Sequence, residues 1–192
     1  SFRLAAYILL NRVIGKPEDG RYQRLREHWL EHTQLKFLGF FQAQALLTAV
    51  FAVPFLMAAL TQERPPLLAL VAAVSIWLLA VGGETLADRQ LAVWRADPAH
   101  QGRTCRAGLW RYSRHPNYFF EWLHWWSYPL LAWGSPEWWL TLLGPALMLY
   151  TLLKVTGIPY TEQQALASRG DDYRAYQRTT SAFVPWFPKQ EG

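Results

Sequence analysis

Hydrophobic and polar positions follow one another along this chain in long blocks. The segment Phe37–Leu60 is apolar apart from a few positions, among them Gln42 and Gln44, and the segment Leu67–Gly83 repeats the pattern. As α-helices these segments reach about 25–36 Å at 1.5 Å per residue, against a hydrocarbon thickness of ~30 Å. The pattern predicts two membrane-spanning helices joined by a tight turn at Thr61–Pro66.

Two further apolar segments, Asn117–Trp133 and Glu137–Thr156, are separated by a Gly-Ser-Pro turn. At the other end, Ser1–Ile14 reads as the last turns of an apolar helix, so we expect a truncated chain. The patterns predict an all-α fold, a polytopic membrane helix bundle with about five membrane segments here and about two more upstream. We expect a single membrane-embedded domain over residues 1–192, with cytosolic loops that form a cofactor pocket.

Polar residues are concentrated in segments between the apolar ones. Arg21–Leu35 alternates charge and bulk, which is typical of an amphipathic surface helix. Glu84–Asp97 continues the second span with helical alternation of apolar and charged residues. The end of the chain, Ile158–Gly192, is polar and predicts helices at Tyr160–Ser168 and Asp171–Arg178 that pack back over the membrane face.

Composition and charge support a membrane protein. The chain has 192 residues, of which 52% are hydrophobic, 16% aromatic and 17% charged, and this excludes an ordinary soluble domain. All of its 19 Lys and Arg residues except Arg3 and Arg64 lie in the blocks 12–36, 84–116 and 154–192. By the positive-inside rule these blocks share the cytoplasmic side. We therefore expect a multi-pass integral membrane protein with its cofactor site facing the cytoplasm.

The net charge of +5 does not indicate nucleic acid, because the basic residues flank apolar segments and form no face of their own. Membrane lipids and anionic cofactors are the partners that this distribution favours. Cys105 is the only cysteine, so the chain has no internal disulfide. His28 and His32 are spaced for a metal on one helix, but no third ligand is evident, and we predict no metal site.

One stretch, G-L-W-R-Y-S-R-H-P-N-Y-F-F-E-W at residues 108–122, combines basic residues with a helix start. Pro116 is favoured in a first helical turn, where free N–H groups and the helix dipole attract anions. Glu121, at membrane depth, should face the protein interior and pair with a donor. The stretch predicts a pocket for a phosphate-bearing ligand, built around Arg111, Arg114, His115 and Asn117. Alternatively, the arginines contact lipid head groups and Glu121 pairs with one of them.

Two stripes of polar side chains lie on predicted helices, and they are formed by Arg3, Tyr7 and Asn11 and by Glu84, Asp88 and Arg95. Each stripe falls on one helix face because its members are four or seven residues apart. Such a stripe needs a partner, although the second also fits a self-paired, solvated helix end. Glu162 either reaches the pocket or satisfies a helix N-terminus. Among the Trp residues, which mostly indicate interfacial anchoring, Trp125 is the exception, one turn beyond Glu121.

The stretch at 108–122 is similar to the signature of a bacterial membrane family related to steroid 5α-reductases. The segments R-L-A-A-Y-I-L-L-N-R, D-R-Q-L-A-V-W-R-A-D-P and D-D-Y-R-A-Y-Q-R-T-T-S-A-F-V-P-W-F-P also occur in the order and at the approximate spacing of that family. The resemblance implies a helical membrane bundle that binds NADPH in a cytosol-facing cavity. It implies hydride transfer to the C=C of a lipophilic enone, with a 3-oxo-Δ4-steroid as the first candidate.

The resemblance also implies which residues contact NADPH. Contacts with the adenosine and its phosphates are expected from Glu84, Asp88, Arg95 and Arg103, with Arg95 at the 2′-phosphate, and contacts with the nicotinamide end from Asn117 and Glu121. Further cofactor contacts are expected from Arg3, Tyr7, Asn11, His115, Trp125 and Glu162. The resemblance to a bacterial family also implies the bacterial inner membrane. Glu84 departs from the family, which has Asn there. The catalytic Tyr and Glu of the family would lie upstream of Ser1, so we assign no catalytic residue.

Two other function classes remain open. Isoprenylcysteine and phospholipid methyltransferases, which use S-adenosylmethionine, also carry an R-H-P-x-Y motif before a spanning helix. They resemble only the last third of this chain, and they have paired glutamates where it has Glu162 and Gln163. A non-enzymatic lipid-binding protein is the third class. We expect a monomer that binds a lipophilic small molecule.

Overall fold

The computed structural model describes residue 15 and residues 20–61, 64–155 and 157–189, and these residues are arranged in helices. The helices are α1 (Gly20–His28), α2 (Thr33–Leu60), α3 (Leu67–Ala96), α4 (Pro116–Trp125), α5 (Ser127–Leu131), α6 (Leu143–Tyr150) and α7 (Ile158–Thr179). Three short 3₁₀ turns (Pro98–His100, Gly108–Arg111 and Trp138–Leu142) and a π-helical turn (Thr151–Val155) complete them. The prediction of an all-α fold is confirmed. Two compact units divide the chain, residues 1–48 and 49–192.

Three helical segments are long and apolar enough to cross a membrane: Thr33–Leu60, Leu67–Ala96 and the run Trp138–Thr179. Up to Val155 the last run carries a single charged residue, Lys154, whereas α7 carries charged residues along its length, so any crossing ends before α7. The protein is therefore a membrane protein, as predicted. The predicted second span and its polar continuation form one unbroken helix, α3.

The predicted membrane segment Asn117–Trp133 is not one helix. It is divided at Trp126 into α4 and α5, which have ten and five residues. Pro129 accounts for the break, since a proline ring clashes with the carbonyl four residues earlier, here that of Trp125, and offers no N–H. Pro145 acts in the same way on the predicted segment Glu137–Thr156, which begins as a 3₁₀ turn before α6.

The first unit differs from its prediction at one point. The amphipathic helix expected over Arg21–Leu35 ends at His28, and α2 begins at Thr33. Between them His32 adopts a left-handed backbone with φ 51°, which a continuous helix cannot contain. His28 and His32 therefore do not share a helix face. Within this unit the Tyr22 ring lies 5.8 Å from the ring of Phe41, centroid to centroid.

The second unit is built on α3, which packs mainly against α4 and α5. Small side chains make this possible: Ala73, Ala80 and Ala87, seven residues apart, are all buried on α3. Such small residues allow helix backbones to approach closely. Gly83 lies against the ring of Phe120 on α4, where a Cβ atom would come within 2.5 Å of that ring.

The chain after α7 is fixed to the segment that precedes α4. The backbone N–H of Arg114 donates to Ser181 O at 2.9 Å, and that of Trp186 donates to Tyr112 O at 2.9 Å. The side chain of Ser113 donates to Phe183 O at 2.7 Å. These hydrogen bonds hold the chain after α7 against the segment that precedes the N-terminus of α4.

Helix α7 itself bends at Gly170, whose backbone has a left-handed φ of 51°. The two helices predicted at Tyr160–Ser168 and Asp171–Arg178 therefore occur as the two parts of α7. After the bend, the buried side chain of Tyr176 donates to the carbonyls of Trp110 and Ser113. These bonds attach the second part of α7 to the loop before α4.

Candidate functional site

The predicted helix start at Pro116 is confirmed. His115 is the last residue before α4, Pro116 occupies the first turn, and Asn117 follows it. The side-chain amide of Asn117 donates to Asp88 Oδ1 on α3 at 3.1 Å. The central stretch and the polar face of α3 therefore meet at this hydrogen bond.

A first cavity, of about 260 Å³, lies between α3, the start of α4 and α7. Five of the residues predicted to form a site line it: Asp88, Arg95, Arg114, His115 and Asn117. Two of them come from α3 and the other three from the chain at the start of α4, which are distant along the sequence. The structure thus brings together a carboxylate, two guanidinium groups, an imidazole and an amide around one space.

A second cavity, of about 530 Å³, continues from the first between the end of α3, the loop that follows it and α7. Five residues line both cavities: Leu91, Arg95, Thr161, Ala165 and Arg169. The two cavities therefore adjoin along a shared wall. Their volumes together fall in the range of roughly 300–1,000 Å³ that is usual for small-molecule and cofactor sites.

The second cavity is lined by basic residues without acidic ones. Arg95, Arg103 and Arg169 line it, together with His100, and no Asp or Glu is among its lining residues. None of these three arginines takes part in an ion pair with a described residue. Unpaired guanidinium groups on a cavity wall favour an anionic ligand, since they present several donors in a fixed fork.

Buried polar atoms on these walls also lack a hydrogen-bond partner. Within the described ranges these atoms include Trp94 Nε1 and Arg169 Nε. Each belongs to a residue that lines the first or the second cavity. A buried donor without a partner costs free energy, so unpaired donors that cluster on one wall indicate a site that a ligand completes.

Glu162 lies outside both cavity linings and holds the wall of the first one in place. Its carboxylate accepts from Arg114 Nε at 2.6 Å and from Gln177 Nε2 at 2.9 Å, with His115 Nε2 and the Tyr173 hydroxyl at 3.4 Å. Burial raises the pKa of Glu162, but the hydrogen bonds from His115, Arg114 and Gln177 outweigh burial and lower it to about 2. The carboxylate is therefore ionised at neutral pH.

Arg114 is committed to this network. Besides Glu162, its guanidinium donates to Gln177 O at 3.0 Å and to Thr180 O at 2.7 Å. Burial, followed by the charge of Glu162, raises the pKa of Tyr173 to about 12, so its hydroxyl remains a donor. Arg111, by contrast, is exposed and lines neither cavity. Of the expected cluster, Arg114 and His115 line the first cavity and also belong to the Glu162 network, whereas Arg111 takes part in neither.

The remaining predicted residues are distributed as follows. Arg103 lines the second cavity, whereas Glu84, Glu121, Trp125 and Glu162 line neither cavity. Arg3, Tyr7 and Asn11 lie outside the described residues. The predicted contacts of all these residues with NADPH stay predictions.

Glu121 and Glu84 lie on the facing sides of α4 and α3. Glu121 is half-buried, and its electrostatic neighbours are the carboxylates of Glu84 and Asp88. No described residue donates a hydrogen bond to Glu121 or forms an ion pair with it. The donor expected for Glu121 is therefore not supplied by the residues that the structure describes.

Trp125 belongs to an aromatic cluster on the other side of α4. Its ring lies 5.0 Å from the ring of Phe51 and 5.5 Å from that of Phe55, measured between centroids. It also lies against Gly144, where a Cβ atom would come within 2.5 Å of the indole. These contacts give Trp125 a packing role.

Arg169 is a site residue that the sequence patterns did not predict. It lies in the polar end of the chain just before the Gly170 bend, and no motif surrounds it. The Trp94–His100 pair, with parallel rings 3.5 Å apart on the wall of the second cavity, was also not predicted. Cys105 lines the first cavity, but burial raises the pKa of its thiol, which disfavours the nucleophilic thiolate.

The described residues form an α-helical membrane protein with two adjoining cavities, one beside the start of α4 and one lined by arginines. The chain belongs to the DUF1295 family, a family of proteins of unknown function, whose model matches residues 1–180. Comparison with curated proteins gives no match, and comparison with solved structures gives none either.

Proposed function

We propose that this protein is an NADPH-dependent membrane reductase that acts on the C=C of a lipophilic enone, with a 3-oxo-Δ4-steroid as the first substrate to test. The observation that carries the proposal is the pair of adjoining cavities, one lined by Asn117 and the other by arginines without a carboxylate. The resemblance of the central stretch to the steroid 5α-reductase signature supports the choice of reaction. The chemistry that NADPH supplies when bound is hydride transfer.

The residues of this chain fit the two ends of such a cofactor. At the first cavity Asp88 orients the Asn117 amide, which can then exchange hydrogen bonds with a carboxamide. At the second cavity Arg103 is exposed and unpaired, as an arginine that meets a phosphate would be before binding. The unpaired Nε of Arg169 lies between them. A ligand with an amide at one end and phosphates along its length matches this order of donors.

The charge of the second cavity favours NADPH over S-adenosylmethionine. S-adenosylmethionine carries one carboxylate, a cationic sulfonium, an ammonium group and no phosphate, so it offers three unpaired arginines a single anionic group. A dinucleotide with an added 2′-phosphate gains charge-assisted hydrogen bonds from the same side chains. We therefore rank the methyltransferase second.

Binding of NADPH to the purified protein in nanodiscs tests the proposal. We expect NADPH fluorescence to rise and saturate on titration, and an excess of S-adenosylmethionine to leave the bound fraction unchanged. Equal or tighter binding of S-adenosylmethionine would contradict the reductase and support the methyltransferase. If neither NADPH nor S-adenosylmethionine binds, both enzyme classes are contradicted and the non-enzymatic lipid-binding protein is favoured.

Substitution of Arg103 tests where the 2′-phosphate of NADPH binds. If the adenosine end of the cofactor occupies the second cavity, Arg103→Gln weakens NADPH about 10-fold, a loss typical of one charge-assisted hydrogen bond. NADH, which lacks the 2′-phosphate, should bind the variant and the unchanged protein with similar affinity. Arg111→Gln, on an exposed arginine outside both cavities, is the matched control. Equal losses for NADPH and NADH would refute this assignment.

A further inference from the structure

Arg169 occupies a position that neither the motif nor its neighbours in sequence explain. It lines both cavities, on the wall that they share, and so does Arg95 from the opposite helix. Arg95 projects from the last turn of α3 and Arg169 from α7 just before the bend at Gly170. Two guanidinium groups from separate helices thus face the passage between the cavities.

These two guanidinium groups form no close ion pair among the described residues, although the charge of Arg169 acts on Asp172, three residues further along α7. Among the same residues the buried Nε of Arg169 has no hydrogen-bond partner. The carboxylates nearby are already engaged: Asp172 accepts from Thr104 N at 2.8 Å and from Arg106 at 2.9 Å, and Asp88 accepts from Asn117. Arg95 is exposed and Arg169 is half-buried, so both can gain charge-assisted hydrogen bonds from an anion on the shared wall.

The side chain of Arg169 is held ready for such a ligand. Its guanidinium lies over the ring of Tyr173 at 5.1 Å from the centroid, which fixes the group by a cation–π contact without using its N–H donors. The ring of Tyr173 is in turn fixed, because Tyr173 is 3% exposed and its hydroxyl lies 3.4 Å from Glu162. The donors of Arg169 therefore remain available to an anion in the passage.

We propose that Arg169 and Arg95 form a guanidinium pair that binds a diphosphate group at the shared wall of the two cavities. The chemistry follows from the position: the group must be anionic, with acceptors on two sides, and must continue into both cavities. A diphosphate has this form, with a substituent at each end. The inference deepens the proposed function and rests on it for the identity of the whole ligand, which is a dinucleotide.

The test is binding of inorganic pyrophosphate to the full chain in phosphatidylcholine nanodiscs, measured by calorimetry. We expect Arg169→Gln to weaken pyrophosphate at least 10-fold and Arg169→Lys to restore only part of the affinity, because a lysine keeps the charge and loses the fork. Arg174→Gln is the matched control on the same helix, since Arg174 is exposed and pairs with Asp171. Unchanged affinity in Arg169→Gln would overturn the proposal.

Adenosine, which has no phosphate, separates a binding role from a structural one. The proposal predicts equal adenosine affinity in the unchanged protein and in Arg169→Gln. A similar loss for adenosine and pyrophosphate would overturn it, because the substitution would then have disturbed the cavity as a whole. Nanodiscs that contain phosphatidylglycerol supply the remaining comparison. If that lipid displaced pyrophosphate through Arg169, the pair would be a lipid head-group site and the proposal would fail.

Titrations with NADPH and NADH distinguish failure of this inference from failure of the proposed function. The diphosphate is common to both cofactors, so Arg169→Gln should weaken both by a similar factor of about 10 or more, unlike Arg103→Gln. If NADPH binds tightly and Arg169→Gln leaves its affinity unchanged, the proposed guanidinium pair is wrong and the proposed reductase is still supported. If pyrophosphate binds through Arg169 but NADPH does not bind, the guanidinium pair is supported and the proposed reductase is wrong.

Discussion

Glu162→Gln should lower the stability of the protein more than the loss of any other carboxylate in the described part of the chain. The substitution removes the negative charge that holds Arg114 and faces His115, both of which are largely buried. Removing one partner of a buried ion pair lowers the free energy of unfolding by about 3–5 kcal/mol. We expect about 3 kcal/mol here, because the glutamine still accepts one hydrogen bond. This corresponds to a fall of roughly 6–12 °C in the midpoint of thermal unfolding.

Thermal unfolding of the detergent-solubilised protein measures the effect, with Asp171→Asn as the matched control. Asp171 is a carboxylate on the same helix that pairs with Arg174, but its side chain is 93% exposed, so its loss should leave the midpoint unchanged. NADPH binding should weaken together with stability, since Arg114 and His115 form the wall of the first cavity. A midpoint in Glu162→Gln equal to that of the control would refute the role of this network.

The same carboxylate predicts a dependence of stability on pH. The pKa of Glu162 is about 2 in the folded protein, against 4.5 for an ordinary glutamate. Because the folded value is the lower one, the stabilisation is complete above the ordinary value and is lost as pH falls from it towards the folded value. Between about pH 5 and about pH 3 the unchanged protein should lose more stability than Glu162→Gln. Parallel losses in the two proteins would contradict the lowered pKa.

Gly83→Ala should disturb the packing of α3 against α4. The new Cβ atom would lie 2.5 Å from the ring of Phe120, so α4 and α3 must move apart or the ring must leave its position. Such overpacking costs about 1–3 kcal/mol. Because α4 carries Asn117 only three residues before Phe120, we also expect weaker NADPH binding.

The adjacent glycine is the control for this prediction. A Cβ atom at Gly82 meets nothing within 4 Å, so Gly82→Ala should be neutral or slightly stabilising through helix propensity. Replacing the Phe120 ring with a smaller side chain, in Phe120→Leu, should restore part of the stability that Gly83→Ala loses. A double-mutant cycle of unfolding midpoints measures this. Equal midpoints for Gly82→Ala and Gly83→Ala would show that α3 and α4 do not pack as described.

Much of the helical organisation could be predicted from local sequence. The long helix α3 follows from an apolar segment that passes into an amphipathic one without Pro or a turn signal. Pro116 predicts the start of α4 because a first-turn proline loses no hydrogen bond. The break between α4 and α5 follows from the same chemistry applied to Pro129, although the apolar run alone suggested one helix. The left-handed turn at His32 has no comparable signal, since positive φ is uncommon for any residue other than Gly, even though His is enriched there together with Asn and Asp.

The site was predictable only in part, because its remaining geometry depends on contacts between distant residues. The spacing of Asp88 and Arg95 on α3 and the helix start at Asn117 identified two walls of the first cavity. The third wall is α7, and nothing local indicates that Glu162 meets Arg114 or that Arg169 faces Arg95. These contacts arise because the chain after α7 is bound to the segment before α4, a tertiary arrangement that propensity and periodicity do not encode.

The central claim is that one ligand with phosphate groups extends through both cavities, with its uncharged end beside Asn117. An electron cryo-microscopy map of the protein with saturating NADPH tests it most directly. We predict density for a diphosphate within hydrogen-bond distance of Arg95 and Arg169 and density for a planar ring next to Asn117. Density for NADPH elsewhere on the protein, with Arg95, Arg103 and Arg169 in contact only with lipid head groups or solvent, would contradict the account.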